Sequence, residues 1–293
     1  MNYQQFVTSV SEQVNYLFDS KTTAKIHTAL KNNDTQRIGL VISEEGTNIS
    51  PTIYLEDFYE QYQQGNSIEG ISEAIVSIYH QIKFDNPIET TLLENFEELK
   101  PFVTFRLIHR SRNYSLLETI PFIPFLDLAI VFSLLFEMPD HGLGSITITN
   151  NMIELWDTSL SELYRLAVEN TASLFPIEFR PLKSAISEMT GMPYDQAMFE
   201  DDHLYILTNS ICHLGAACIL YTTVLEDIAD ILEDDFYLIP CSIHEIIILP
   251  ASYSPEIVSL NEMIQEVNST QLSADEILSD HCYFYDRKKQ LIS

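Results

Sequence analysis

Apolar residues recur at helical spacing in several stretches of the chain. Ile68, Ile71, Ile75 and Ile78 form one stripe and predict a helix with a single buried face. Ser159 with Glu162 is a capping-box signature ahead of Leu160, Leu163 and Leu166; Thr223 with Glu226 and Ser273 with Glu276 repeat it. Ser254 before Pro255 reads as an N-cap and first-turn proline leading into Ile257, Leu260, Ile264 and Val267. Shorter β-rich runs predict strands near 38–42, 52–55, 102–108, 126–135, 145–149, 204–207, 237–239, 246–249 and 282–285.

Regular alternation of strand and helix would favour a doubly wound parallel sheet. Here the spacing is uneven, and hairpin-like pairs occur around Glu44–Asn48 and between Ile239 and Ile246. The expected fold is therefore α+β, a mixed or mainly antiparallel sheet with packed helices. An acidic, proline-flanked segment, Asn86–Pro101, marks a division into a helical and hairpin lobe over 1–100 and an acidic α+β lobe over 101–293, unless the two pack as one unit. The most apolar run, Pro121–Phe136, has 16 residues and carries Asp127. That is short of the roughly 20 apolar residues a spanning helix needs, so it reads as a buried core element.

With 293 residues, 46% of them apolar, the chain can bury a sizeable core. Its charge is lopsided: 43 acidic against 15 basic residues, a formal net charge of −28. Direct binding of nucleic acid or of anionic membrane surfaces runs on clustered Lys and Arg, and both are disfavoured. The N-terminal residues lack a basic start followed by an apolar core, so a cytoplasmic location is expected, with Cys212, Cys218, Cys241 and Cys282 as free thiols.

The imbalance is regional. Between Lys183 and Arg287 there is no basic residue, while residues 184–286 hold 19 Asp and Glu. The opposite holds at 99–117, which contain no acid but carry Lys100, Arg106, Arg110 and Arg112. The densest acidic stretch, Val224–Phe236, reads as an amphipathic helix. Val224, Leu225, Ile228, Ile231 and Leu232 are expected to face inward, and Glu226, Asp227, Asp230, Glu233 and Asp234 outward. Carboxylates three and four residues apart repel, so such a face calls for solvent, cations or a basic partner. The bland account is a solvated face that aids solubility; the functional one is a binding surface.

Candidate chemistry is sparse. The eight glycines form neither a phosphate-cradling nor a dinucleotide-binding pattern, and Gly142-Leu143-Gly144 reads as a turn. Cys241 and His244 have zinc-ligand spacing, and Cys212, His213 and Cys218 lie upstream, but no second clean pair completes a set. The calcium-loop spacing is missing from the acidic helix. Neither a metal nor a cofactor is expected. Ser242, His244 and Glu245 place a hydroxyl near an imidazole and a carboxylate and are weak catalytic candidates, with Asp280 and His281 as further acid–base groups. Nucleophile, base and orienting acid normally come from separate elements, which favours a structural turn at 241–245. Glu44, Glu45 and Gly46 read as a hairpin turn, with Asn48 suited to a left-handed conformation.

Several segments resemble a bacterial family of unknown function: Asn48-Ile49-Ser50-Pro51-Thr52-Ile53-Tyr54-Leu55, Asp127-Leu128-Ala129-Ile130-Val131-Phe132, Leu207-Thr208-Asn209 and Ser242 to Pro250. Glu266-Val267-Asn268 and Leu278-Ser279-Asp280 continue the likeness, which runs from about residue 35 to the end. Relatives tend to carry Ser where this chain has Cys241, which speaks against a cysteine nucleophile there. The resemblance supplies no activity, but its setting in genomes rich in mobile elements raises the analogy of acidic inhibitors that imitate DNA. The expected function is a non-enzymatic acidic protein that binds a basic protein surface, as an inhibitor of a nucleic-acid-handling or defence system. The alternative is a hydrolase or transferase using His244 and nearby carboxylates.

Overall fold

Three antiparallel sheets with helices packed on them make this an α+β protein, as the uneven alternation and hairpin pairs predicted. The computed structural model describes residues 1–47, 50–83, 93–138, 142–191, 203–240, 242–254 and 256–293. Asn48, Cys241, Pro255 and residues 86–92 of the expected inter-lobe segment lie outside them. The chain divides into two compact units, one of Met1–Lys31 with Thr35–Leu93 and one of Asn32–Asp34 with Glu94–Ser293.

In the first unit α1 (Tyr3–Leu17) precedes β1 (Thr22–Leu30), β2 (Gln36–Glu44), β3 (Thr52–Tyr54), α2 (Glu56–Gln63) and α3 (Ile68–Ile82). Asn2 and Gln5 close a reciprocal capping box that starts α1, whose Phe6, Val7, Val10 and Val14 form a fully buried stripe. That stripe packs in one core with Ile71, Ile75 and Tyr79 of α3 and Leu40, Ile42 and Ile53 of the sheet. The isoleucine periodicity found the α3 helix; β1 escaped because Ala24 alone of its residues is buried, leaving no alternation to read.

In the second unit β6 (Leu128–Met138) is the centre of a four-stranded sheet. It pairs with β4 (Val103–His109) along one side, and with β5 (Phe122–Phe125) and β7 (Gly142–Thr147) in succession. The apolar run is thus a hairpin, with Leu126 in the left-handed region (φ 55°) at the bend and Leu128, Val131 and Leu134 fully buried. Gly142 and Gly144 belong to β7 and not to a turn. Short helices α4 (Phe96–Leu99), α5 (Tyr114–Leu117) and α6 (Asn150–Trp156) border the sheet in sequence, and α7 (Leu160–Leu174) covers the outer edge of β4. An edge strand exposes unpaired backbone groups. Here Asn170 Nδ2 donates to Lys100 O (2.7 Å) and Val103 O (2.9 Å), and Thr171 Oγ1 accepts from Phe105 N (3.2 Å).

The third sheet runs in the order β13-β12-β10-β11-β9-β8, formed by β8 (Ile177–Pro181), β9 (Tyr205–Asn209), β10 (Phe236–Ile239), β11 (Ile246–Pro250), β12 (Tyr283–Asp286) and β13 (Leu291–Ile292). Helices α8 (Leu182–Thr190), α9 (Val224–Leu232) and α10 (Ile257–Thr270) accompany it, with a 3-10 helix over Gly215–Leu220. Among the described residues no helix is long and apolar enough to cross a membrane.

The capping signatures had mixed outcomes. Ser159 caps α7, accepting from Glu162 N at 3.2 Å. Thr223 precedes α9 in the left-handed region (φ 66°), and its hydroxyl donates to Asp227 Oδ2 instead of capping the backbone. Ser273 and Glu276 close a turn and not a helix, and α10 starts one residue after Glu256 and not from Ser254. A Ser159→Ala variant should therefore lose about 1 kcal/mol of stability in urea unfolding, while Thr223→Ala should stay within about 0.5 kcal/mol of the parent.

Candidate functional site

The acidic helix α9 is amphipathic, with Val224, Ile228 and Ala229 buried and Leu225 and Leu232 half-buried. Ile231 departs from expectation: it is 66% exposed and stands on the outward face, one turn from Asp227. Several carboxylates of this region already have internal partners. Asp230 pairs with Arg287 at 3.1 Å, and Asp235 accepts from Arg287 N at 2.8 Å. Asp234, past the end of α9, accepts from Ser252 N at 2.9 Å. Burial works to raise the Asp234 carboxyl, but the Ser252 and Asp235 donors outweigh it and hold the group below its usual range. Glu226, Asp227 and Glu233 are exposed and make no ion pair with any described residue. Glu233 ends the helix in a left-handed cap (φ 56°).

The segment Ser242–Glu245 forms a tight polar turn into β11. Ser242 is buried, accepts from His244 N at 2.9 Å and bridges to Ile277. His244 Nδ1 accepts from Leu214 N at 3.2 Å, and Nε2 lies 3.8 Å from Glu276 Oε1. Both ring nitrogens face structural partners, and no hydrogen bond joins the imidazole to the Ser242 hydroxyl. Burial pushes the Glu245 carboxyl up, with His244 and Ser242 working in the other direction. Gly215 sits against this turn because no side chain fits: a Cβ there would fall 2.2 Å from Thr208 Oγ1 and 2.5 Å from His244 O. The described cysteines are free, and burial pushes the Cys218 thiol up to about 12, well away from nucleophilic use at neutral pH. Among the described residues no cluster of three or more His, Cys, Asp or Glu is arranged to hold a metal ion.

A denser ionisable centre forms around Asp127, at the bend between β5 and β6. Asp127 Oδ2 accepts from Ser279 Oγ at 3.1 Å and faces His109 Nε2 at 3.5 Å. Asp127 Oδ1 accepts from the Tyr283 hydroxyl and lies 3.8 Å from His281 Nε2. His281 Nδ1 faces Asp280 Oδ1 at 3.1 Å, and Asp280 in turn pairs with Arg112 at 3.3 Å. His281 first and Arg112 after it hold the Asp280 carboxyl below its ordinary range. His109 Nδ1 accepts from Arg112 N (3.3 Å), which assigns the ring proton to Nε2, facing Asp127. Burial keeps this imidazole neutral by lowering its pKa, against the pull of Asp127. Asp280 and His281 do converge, but on a carboxylate whose two oxygens are both engaged, and beside a hydroxyl, Ser279, that is fully buried. The chemistry available is proton-holding and cross-linking of segments. The sequence signal for it was a charge inside an apolar run, which buried strands tolerate only when donors meet it.

The residues that carried the family resemblance are brought together by these bonds. Asp127 meets Ser279, Asn268 Nδ2 donates to Ser279 O at 2.8 Å, and Thr208 Oγ1 donates to His244 O at 2.8 Å. A family model matches residues 3–287, beyond the stretch in which the likeness was legible. The chain belongs to DUF5688, a family of unknown function. No curated protein and no solved structure matches it. In this DUF5688 member Asp127, Thr208, Asn268 and Ser279 of those segments thus make polar cross-links within the second unit.

Two outcomes follow. Asp127→Ala should cost about 2–4 kcal/mol in chemical unfolding, because the buried Tyr283 hydroxyl loses its acceptor and Ser279 is left with His281; a loss below about 0.5 kcal/mol would count against the cross-link. His109 has its folded pKa depressed, so the unfolded chain binds the proton more readily and stability is lost as pH falls through about 6.5, the unfolded value. His109→Gln should flatten the stability slope between about pH 7 and pH 5, read from urea midpoints at each pH.

Proposed function

We propose that this protein is a non-enzymatic interaction protein whose acidic α9 face binds a basic protein surface. The observation that carries the reading is the exposed Ile231, one helical turn from Asp227, on a helix whose Glu226, Asp227 and Glu233 have no cation from the described part of their own chain. A large apolar side chain left in water within a negative field supplies what a protein interface needs, a desolvated anchor surrounded by charge that steers the partner in. Engagement of Asp230 by Arg287 and of Asp234 by Ser252 narrows the binding set to Glu226, Asp227, Ile231 and Glu233. Acid–base catalysis is less well supported, since His244, Ser242 and Asp127 spend their polar atoms on internal bonds. The partner class that follows is a protein with a Lys- and Arg-lined groove, such as a nucleic-acid-handling or defence protein, which the chain would occupy as an inhibitor.

The test is binding to a panel of purified nucleic-acid-binding proteins of high pI, measured from about 50 to about 300 mM salt. Affinity for a true partner should fall by about tenfold or more over that range, fall again in the Glu226→Lys, Glu233→Lys double variant, and drop about tenfold in Ile231→Ser. Nonspecific attraction would respond to salt and charge but not to Ile231→Ser. Binding that ignores all three would dispose of the proposal.

A further inference from the structure

Arg106 is the one described residue of β4 that carries a permanent charge, and it faces a cavity instead of a carboxylate. It shares a face of the four-stranded sheet with Thr104 and Ser133, directly paired residues of β4 and β6. No ion pair or side-chain hydrogen bond joins it to any described residue, in a chain with 43 acidic residues. Burial lowers its pKa, and no carboxylate among the described residues acts against that. Arg106 is half-buried, and a guanidinium largely withdrawn from water with no counter-ion among the described residues is costly to fold around.

The cavity has a volume of about 80 Å³, and none of the described residues lining it is Asp or Glu. Ser133 contributes a second unmatched group: its Oγ is buried and has no hydrogen-bond partner. Thr104, whose hydroxyl donates to Ser133 O, adds only acceptor capacity. His213 also lines the space and is kept neutral by burial, by His244 and by Arg106. The remaining wall is largely apolar, with Leu135, Phe175 and Leu214 prominent. One unpaired cation, one unpaired donor and a small hydrocarbon surface describe a ligand with a compact anionic head and a short apolar body. The planar guanidinium fork matches a carboxylate through two parallel hydrogen bonds, and the apolar wall disfavours a phosphate, which would present oxygens in every direction. The space holds several waters' worth of volume, room for a chain of about three to five carbons.

We propose that this cavity binds a small monocarboxylate, its head on the Arg106 guanidinium and the Ser133 hydroxyl and its tail against Leu135, Phe175 and Leu214. The site is independent of the acidic face on α9 and uses none of its residues.

Calorimetric titration of the full chain with butyrate, at constant ionic strength, tests this. Butyrate should bind with one-to-one stoichiometry, more tightly than acetate and more tightly than octanoate, whose tail exceeds the cavity. The neutral isostere butyramide should fail to bind. Arg106→Met should weaken butyrate by about tenfold or more, and Ser133→Ala by a smaller factor. Without ligand, Arg106→Met should melt at or above the parent temperature, because a half-buried charge with no counter-ion among the described residues has been removed. Should Arg106→Met not fold, Leu135→Phe fills the cavity while keeping the arginine and should abolish binding. The proposal is overturned by absence of butyrate binding to the parent, by equal binding to butyramide, by unaltered binding in the folded variants, or by inorganic phosphate binding where butyrate does not.

Discussion

A charge can enter the interior of a protein only where donors or a counter-ion meet it, and the second unit of this chain is organised by that constraint. Asp127 stands at the head of β6, the central strand, within the apolar run. Ser279, Tyr283 and His109 approach it from elements distant in sequence, so satisfying one carboxylate also fixes the bend between β5 and β6, the end of β4 and the start of β12 relative to one another. Burial raises the Tyr283 hydroxyl far above its ordinary range, and Asp127 adds to the effect, so the tyrosine proton stays in place as part of the link.

The same requirement acts on the backbone. The open edge of β4 is closed by Asn170 and Thr171, and the carbonyls at the end of α7 are taken up by the Tyr221 hydroxyl, which donates to Thr171 O at 3.2 Å and Phe175 O at 3.0 Å. Asn209 holds the loop after β9 by accepting from Ile211 N and His213 N and donating to His213 O. Against such thorough satisfaction the exceptions stand out. Among the described residues the Ser133 hydroxyl is one such exception, as are the Ser72 hydroxyl and the Asn268 side-chain carbonyl; Ser133 differs in lining a cavity beside the half-buried Arg106.

The surface follows a different rule. A net charge of −28 concentrates on the C-terminal third of the sequence, where Arg287 and Lys289 return to neutralise Asp230 and Asp286. Exposed ion pairs of this kind contribute little to stability and leave the outward field of the region negative. On α9 that field includes Ile231, one of several large apolar side chains exposed on the described surface and the one that stands beside the acidic face.

How much was legible depends on whether a signal is local. The helix over 68–82, the cap at Ser159 and the strands flanking the hairpin at 239–246 were readable, because periodicity and capping involve neighbours three or four residues away. The α+β class followed from their uneven order. The Thr223 and Ser273 signatures looked identical in sequence, yet one residue turns left-handed and the other closes an isolated turn, since tertiary packing decides whether a chain segment continues as helix. The Ser242–His244 pairing was suggested by proximity along the chain, and the fold turned both side chains to backbone partners. Composition established that the chain is acidic and where. Only the three-dimensional arrangement decided that Asp127, His281 and Ser279 meet, that Asp230 is neutralised, and that Arg106 lines a cavity with no carboxylate from the described residues, because each of those facts is a distance between residues far apart in sequence.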